Sequence, residues 1–179
     1  GSRPRRIAQR LSDWLVDPAA TGRPHHGQWV VALAPAGLMV DARRLSAFFA
    51  QLAGVRGRFL FADPSIEAPG SVGSPAVSTE TASGNSLPTS GWTGSLDAGA
   101  FFQLGSDAST RLYQLTTDVT PVAGAATLQF VPALRATAAA TTALVLDAPK
   151  VLLRLTSPVP ARIGAADNHL FTVTAREAI

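Results

Sequence analysis

The alternation of apolar and polar positions in the first third of the chain predicts strands on either side of one helix. The stretch from Gln28 to Ala34 is short, apolar and rich in β-formers, which is typical of a largely buried strand that ends at a proline. A second strand runs from Arg58 to Phe61 and stops at Asp63-Pro64. A further strand over residues 7–16 would complete a β-β-α-β unit.

The helix is predicted from four large apolar residues that recur at the spacing i, i+3, i+4 and i+7. They are Leu45, Phe48, Phe49 and Leu52. This spacing places them on one face of an amphipathic helix that ends near Gly54. Asp41 is expected to be the N-cap, with Val40 and Leu45 as the hydrophobic staple around it.

Residues 64–91 differ from what precedes them, since they are crowded with Ser, Thr, Gly and Pro. They carry too few large apolar residues for a core of their own, which predicts a long connection with at most a short hairpin.

Strand patterns return after Trp92 and predict a small inserted barrel followed by a return to the first sheet. The predicted strands are 101–104, 111–116, 126–131 and 144–146, and then 151–155 and 170–175. The expected fold is therefore mainly β. A host domain (residues 1–63 and 148–179) carries one flanking helix, and a connection (64–91) leads to a small inserted β-barrel module (92–147).

Length and composition indicate a globular chain. The protein has 179 residues, of which 46% are hydrophobic and 15% charged, too apolar a mixture for intrinsic disorder. No apolar run approaches the roughly 18 residues that a membrane helix needs. The absence of cysteine excludes disulfides, zinc–cysteine sites and thiolate catalysis.

Charge is distributed unevenly along the chain. Residues 1–62 hold nine arginines against three aspartates, a net +6, whereas residues 63–179 hold six basic against nine acidic residues, a net −3. Basic charge of this kind is compatible with nucleic-acid binding, but opposite charge on two parts of one chain equally suits copies that pack head to tail.

The residues that usually carry catalysis or bind metals do not form a recognisable motif. The three histidines, His25, His26 and His169, lie at predicted turns without further ligands at metal-binding spacing. No Gly-x-Ser-x-Gly, Walker A or dinucleotide-binding motif is present, and most acids occupy turn or cap positions. We therefore predict no catalytic residues, no metal and no cofactor.

The aromatic residues give the one alternative based on ligand binding. Trp92, in a Ser/Gly-rich stretch, and Tyr113 are candidates for a sugar-stacking face or an interface anchor. The competing interpretation is that Trp92 fills the end of the barrel as a core residue. The candidate interface or glycan contacts are Trp92, Tyr113, Arg43, Arg44 and Arg56.

The order of these segments resembles that of bacteriophage distal tail or minor tail-tip proteins. The run 44–52 followed by 56–64 matches their helix, and then their strand ending in Asp-Pro. Their inserted β module is similar to segments 84–92, 96–105, 111–115 and 131–135. Their C-terminal segment is similar to residues 171–179. The resemblance covers roughly residues 28–179.

This resemblance implies a tail-tube-like β-sandwich or split barrel with one flanking helix. It also implies assembly as a homo-oligomeric ring, commonly a hexamer, that joins the tail tube to the baseplate hub or fibres. The expected partners are copies of the chain itself and the tube, hub and fibre proteins, with host glycan as a further candidate. No membrane partner is expected, and nucleic acid is disfavoured. The expected location is the virion, assembled in the cytoplasm of a bacterial host, and the expected role is structural rather than enzymatic. The first alternative is a carbohydrate-binding module that contacts host glycan, and the less favoured one is an Arg-rich nucleic-acid-binding domain.

Overall fold

The chain divides into two compact units, one inserted into the other. The computed structural model describes residues 28–33, 39–63, 65–159, 161–163 and 169–178. The host unit comprises residues 1–65 and 152–179, and the module comprises residues 66–151. The described part of the chain is mainly β-strand with a single α-helix, which confirms the predicted fold class. The predicted strand at residues 7–16 lies outside the described residues.

Ten strands and one helix make up the described structure. They are β1 (Gln28–Leu33), α1 (Met39–Gln51), β2 (Arg58–Ala62), β3 (Gly73–Val77), β4 (Ser86–Trp92), β5 (Phe101–Leu104), β6 (Arg111–Leu115), β7 (Ala125–Val131), β8 (Lys150–Leu155), β9 (Ala161–Ile163) and β10 (His169–Glu177). In the host unit the strand order is β1-β10-β8-β2, with β9 also paired to β10. The last strand thus returns antiparallel between β1 and β8, as the predicted pairing with the first sheet requires.

Helix α1 contributes its apolar face to the host core. Phe48 and Leu52 are buried, and the Phe48 ring meets the ring of Phe59 on β2 edge-on, with the centroids 5.8 Å apart. Asp41 is the third residue of the helix and not its N-cap, because the helix already begins at Met39. Acidic residues are favoured at the cap and in the first turn alike, so the sequence signal does not separate the two positions.

The connection from α1 to β2 is a tight turn that only glycine permits. The backbone N–H of Gly57 donates to the Leu52 carbonyl (2.8 Å), and a Cβ on Gly57 would lie 2.5 Å from the same oxygen. At the other end of β2, an Asp63 carboxylate oxygen accepts hydrogen bonds from the Ser65 N–H (2.9 Å) and hydroxyl (2.7 Å). The aspartate before proline therefore has a structural function, since it turns the chain out of the host sheet.

The module is an antiparallel sheet in the order β3-β4-β7-β6-β5 whose two edges are joined by residues 138–146. Val77 N–H donates to Thr142 O (2.9 Å) on the β3 side, and Gln103 and Val145 exchange two hydrogen bonds (2.9 and 3.0 Å) on the β5 side. The sheet therefore curls into a partly closed barrel in which isolated bridges to residues 138–146 cover part of each edge strand.

The core of the module is apolar and centred on three aromatic rings. Phe102 stacks on Tyr113 with centroids 5.3 Å apart, and Phe130 packs edge-on against both rings. The buried core residues are Val72, Val77, Leu87, Trp92, Leu96, Phe102, Leu104, Tyr113, Leu115, Val119, Leu128, Phe130, Leu134, Ala138, Leu144 and Leu146.

The predicted long connection contains two strands of this barrel. Residues 64–91 include β3 and most of β4, so the module extends over residues 66–151 where the pattern predicted 92–147. The sequence pattern did not reveal these strands because most of their outward positions are Ser, Gly or Ala. Their inward positions at Val77, Leu87 and Thr89 are nevertheless buried. The predicted hairpin is present, but as part of the barrel wall.

Candidate functional site

The two aromatic candidates are core residues of the module. Trp92 is only 4% exposed, and its Nε1–H donates to the Thr89 hydroxyl (2.8 Å), which in turn donates to Ala126 O (2.7 Å). Tyr113 is 2% exposed, and its hydroxyl accepts a hydrogen bond from the Arg135 N–H (3.4 Å). Neither ring offers an exposed plane for a sugar: both belong to the core of the module, which is where the competing interpretation placed Trp92.

The arginine candidates lie around helix α1. Arg44 is on the helix and Arg56 is the last residue of the 3-10 turn Gly54–Arg56 that follows it; both are exposed. Arg43 belongs to the same helix, but its side chain lies outside the described part of the structure. Their assignment as interface contacts stays a prediction.

The histidine side chains all lie outside the described part of the structure. His25 and His26 lie outside the described residues, and only the backbone of His169, opposite Ile163, is described. Among the residues with described side chains, no three metal-ligating groups come together.

The exposed charge of the module is acidic. The module contains six acidic and three basic residues, a net charge of −3, and the rest of the chain carries +6. All three basic residues, Arg111, Arg135 and Lys150, are half-buried, and the Arg111 guanidinium donates to the carbonyls of Thr110 (2.8 Å) and Ala108 (3.3 Å). The six carboxylates are all exposed: Glu67, Glu80, Asp97, Asp107, Asp118 and Asp147.

The described side chains of the host unit show the opposite arrangement. The arginines that are exposed are Arg44, Arg56, Arg58 and Arg176. The two acids with described side chains, Asp63 and Glu177, are half-buried. The charge imbalance noted in the sequence therefore coincides with the two structural units, and on each unit the majority charge is the exposed one.

Two pairs of like charges come together only in the folded chain. Arg154 on β8 lies directly opposite Arg176 on β10, and like charges directly opposite each other destabilise a sheet. In the module, an isolated bridge between Leu96 and Val119 brings together the turns that carry Asp97 and Asp118, and one Asp118 carboxylate oxygen accepts the Ala98 N–H (2.8 Å). Each pair joins residues about 20 positions apart in sequence, so no local pattern reveals it.

A comparison with protein-family models and with curated proteins finds no match to this chain.

Within the described segments, no helix is both long and apolar enough to cross a lipid bilayer.

Proposed function

We propose that this chain is a virion structural protein at the distal end of a bacteriophage tail. In this role it forms a homo-oligomeric ring that joins the tail tube to the baseplate hub or fibres. Its partners are copies of itself and the neighbouring tail proteins, and it is assembled into the virion in the host cytoplasm.

The arrangement of the chain supports this proposal through the segments that carry the resemblance. Helix α1 leads into β2, β2 ends at Asp63-Pro64, and the module begins directly afterwards at residue 66. After the module the chain returns through β8 to β10, which lies between β1 and β8 in the host sheet. This order of helix, insertion and returning strands is the one that the resemblance to tail-tip proteins implies.

The observation that carries the proposal is the opposite exposed charge of the two units. A closed ring requires heterologous contacts, in which one surface of a copy meets a different surface of the next. A module whose carboxylates are all exposed and a host unit whose described arginines are mostly exposed supply complementary surfaces for such a contact. By contrast, the glycan alternative loses both of its aromatic residues to the core.

Electron microscopy and mass measurement of the purified protein test the proposal. We expect closed rings of uniform copy number, formed alone or on addition of tail-tube protein, which weaken as salt screens the contacts. A chain that stays monomeric over the micromolar range and does not bind tail-tube protein would refute it. Strongly salt-dependent binding to DNA by such a monomer would instead support a nucleic-acid-binding role.

A further inference from the structure

We infer that the paired arginines Arg154 and Arg176 of one copy bind the paired carboxylates Asp97 and Asp118 of the next copy. The inference rests on the proposed head-to-tail assembly and identifies one contact within it. In this contact the arginine pair is the docking surface on the host unit, and the carboxylate pair is the complementary surface on the module.

The arginine pair lies on the face of the host sheet opposite Leu153 and Leu155. These two residues flank Arg154 and are 1% and 2% exposed, so alternation along β8 turns Arg154 to the other face. Arg154 is half-buried there, and Leu152 on the same face is buried. Arg176 is the cross-strand partner of Arg154 and is exposed. Directly opposed residues hold their Cβ atoms at about 4.5–5.5 Å, so both guanidinium groups are within reach of one bound pair of carboxylates.

Nothing in the described structure neutralises this pair. Neither guanidinium makes an ion pair or hydrogen bond to a described residue, and Glu177 belongs to the other face because it lies opposite Leu153. The next row on the same face, Thr156 and Thr174, is uncharged. Two adjacent cations of this kind form a preorganised binding site for carboxylates, since each guanidinium donates in a planar fork.

The carboxylate pair lies beside an isolated bridge in the module. Leu96 and Val119 exchange two backbone hydrogen bonds (3.1 and 2.7 Å) and are buried, whereas the adjacent Asp97 and Asp118 are both exposed. Asp118 is held in place because one of its carboxylate oxygens accepts the Ala98 N–H (2.8 Å). The module therefore presents two carboxylates outward from neighbouring turns.

The complementarity identifies a second copy of this chain as the partner. Each pair is a repulsive arrangement within its own unit, and contact between the two pairs would convert both repulsions into attraction. The same chain supplies both halves, so each copy in a ring gives its carboxylates to one neighbour and receives those of the other.

Two charge-altered variants test the contact. The host variant is Arg154→Glu with Arg176→Glu, and the module variant is Asp97→Lys with Asp118→Asn. Asparagine at position 118 retains an oxygen that accepts the Ala98 N–H, so the turn is preserved. Sedimentation velocity should show that each variant alone dissociates at concentrations where the original chain forms rings, with a dissociation constant raised about tenfold or more.

Mixing the variants in equal amounts should restore assembly, with host-variant and module-variant copies alternating around the ring. The matched control, Glu67→Lys with Glu80→Gln, changes the module's charge equally at exposed carboxylates elsewhere and should assemble as the original does. Undiminished assembly of both single variants, or no rescue on mixing, would overturn the inference while leaving the proposed ring intact. Assembly that requires calcium and is reversed by EDTA would overturn it as well, by assigning the aspartates to a cation.

A second measurement does not depend on assembly. The substitution Arg176→Glu places a carboxylate opposite Arg154, so the monomer should become more stable while ring formation weakens. We expect the melting temperature of the monomer to rise by roughly 2–5 °C. An unchanged or lower melting temperature would show that the arginines do not repel each other and would overturn the inference. A chain that never assembles, alone or with tail-tube protein, would refute the proposed function itself.

Discussion

Replacing Gln103 by leucine should strongly destabilise the module, because this one side chain makes two hydrogen bonds. Gln103 is 7% exposed, and both ends of its amide are used. The Nε2–H donates to Gly105 O (2.9 Å), and Oε1 accepts the backbone N–H of Lys150 (2.8 Å). Leucine has a similar volume but no polar atoms, so it leaves a backbone carbonyl and a backbone N–H without these partners.

The expected loss follows from these two groups. A buried polar group that loses its partner costs about 1–3 kcal/mol, so the free energy of unfolding should fall by about 2–4 kcal/mol after allowing for the leucine's favourable burial. For a unit of this size the melting temperature should fall by roughly 10–20 °C.

Tryptophan fluorescence provides the assay, because Trp92 is the only tryptophan of the module. In a Trp14→Phe, Trp29→Phe background, urea titration followed at Trp92 should report the Gln103→Leu loss. Gln129→Leu is the matched control: Gln129 is exposed and donates only to the Ser86 hydroxyl (3.2 Å), so its replacement should change stability by less than about 0.5 kcal/mol. Equal stability of the two variants would refute the reasoning, since it would mean that the Gln103 amide bonds contribute nothing.

Three further substitutions probe the barrel by the same titration. Gly91→Ala should cost about 2 kcal/mol or more, because φ is 92° and the added Cβ would lie 2.7 Å from Ser74 O; a neutral effect would argue against this close approach. Phe102→Ala should cost about 3–5 kcal/mol by emptying the centre of the aromatic cluster, and a loss below about 1 kcal/mol would mean that the ring is not packed as described. Thr89→Val removes the acceptor for Trp92 Nε1 and should cost about 1–3 kcal/mol with a shift in Trp92 emission; unaltered emission would speak against that hydrogen bond.

The elements with large apolar residues at regular spacing could be predicted from the sequence. Phe48 and Leu52 marked the buried face of α1, and β5, β6 and β7 fall within a residue or two of the predicted strands. In these elements burial is achieved by large side chains, which periodicity detects directly.

Strands β3 and β4 could not be predicted in the same way, because their identity as strands depends on tertiary context. Their outward residues are mostly small, and one inward residue, Thr89, carries a buried hydroxyl that donates to Ala126 O and accepts the Trp92 Nε1–H. Trp92 was placed among exposed candidates on the composition of its neighbours. The indole packs in the module core and its Nε1–H donates to the Thr89 hydroxyl, a contact across the barrel interior that composition does not encode.

The exposure of charged residues was equally impossible to predict from the sequence. Composition revealed that the two parts of the chain carry opposite charge, but it could not show which charges face solvent. Arg111 and Arg135 count equally with Arg176 in a sequence, yet the first two are half-buried and the third is exposed. Strand register brings Arg154 opposite Arg176, and an isolated bridge between Leu96 and Val119 brings the turns of Asp97 and Asp118 together; no local pattern encodes either.

At each of the two junctions between the host unit and the inserted module, a side chain forms a hydrogen bond that fixes the chain. Where the chain leaves the host unit, Asp63 binds Ser65; where it leaves the barrel, Gln103 binds the Lys150 N–H. Each junction is thus fixed by a side chain of its own unit, and the barrel pairs both of its edge strands through residues 138–146. The six carboxylates of the module lie outside this bridged wall and are all exposed, although Asp118 also accepts the Ala98 N–H. The proposed contact with a second copy therefore uses charged groups on the outer surface of a unit whose core is complete without them.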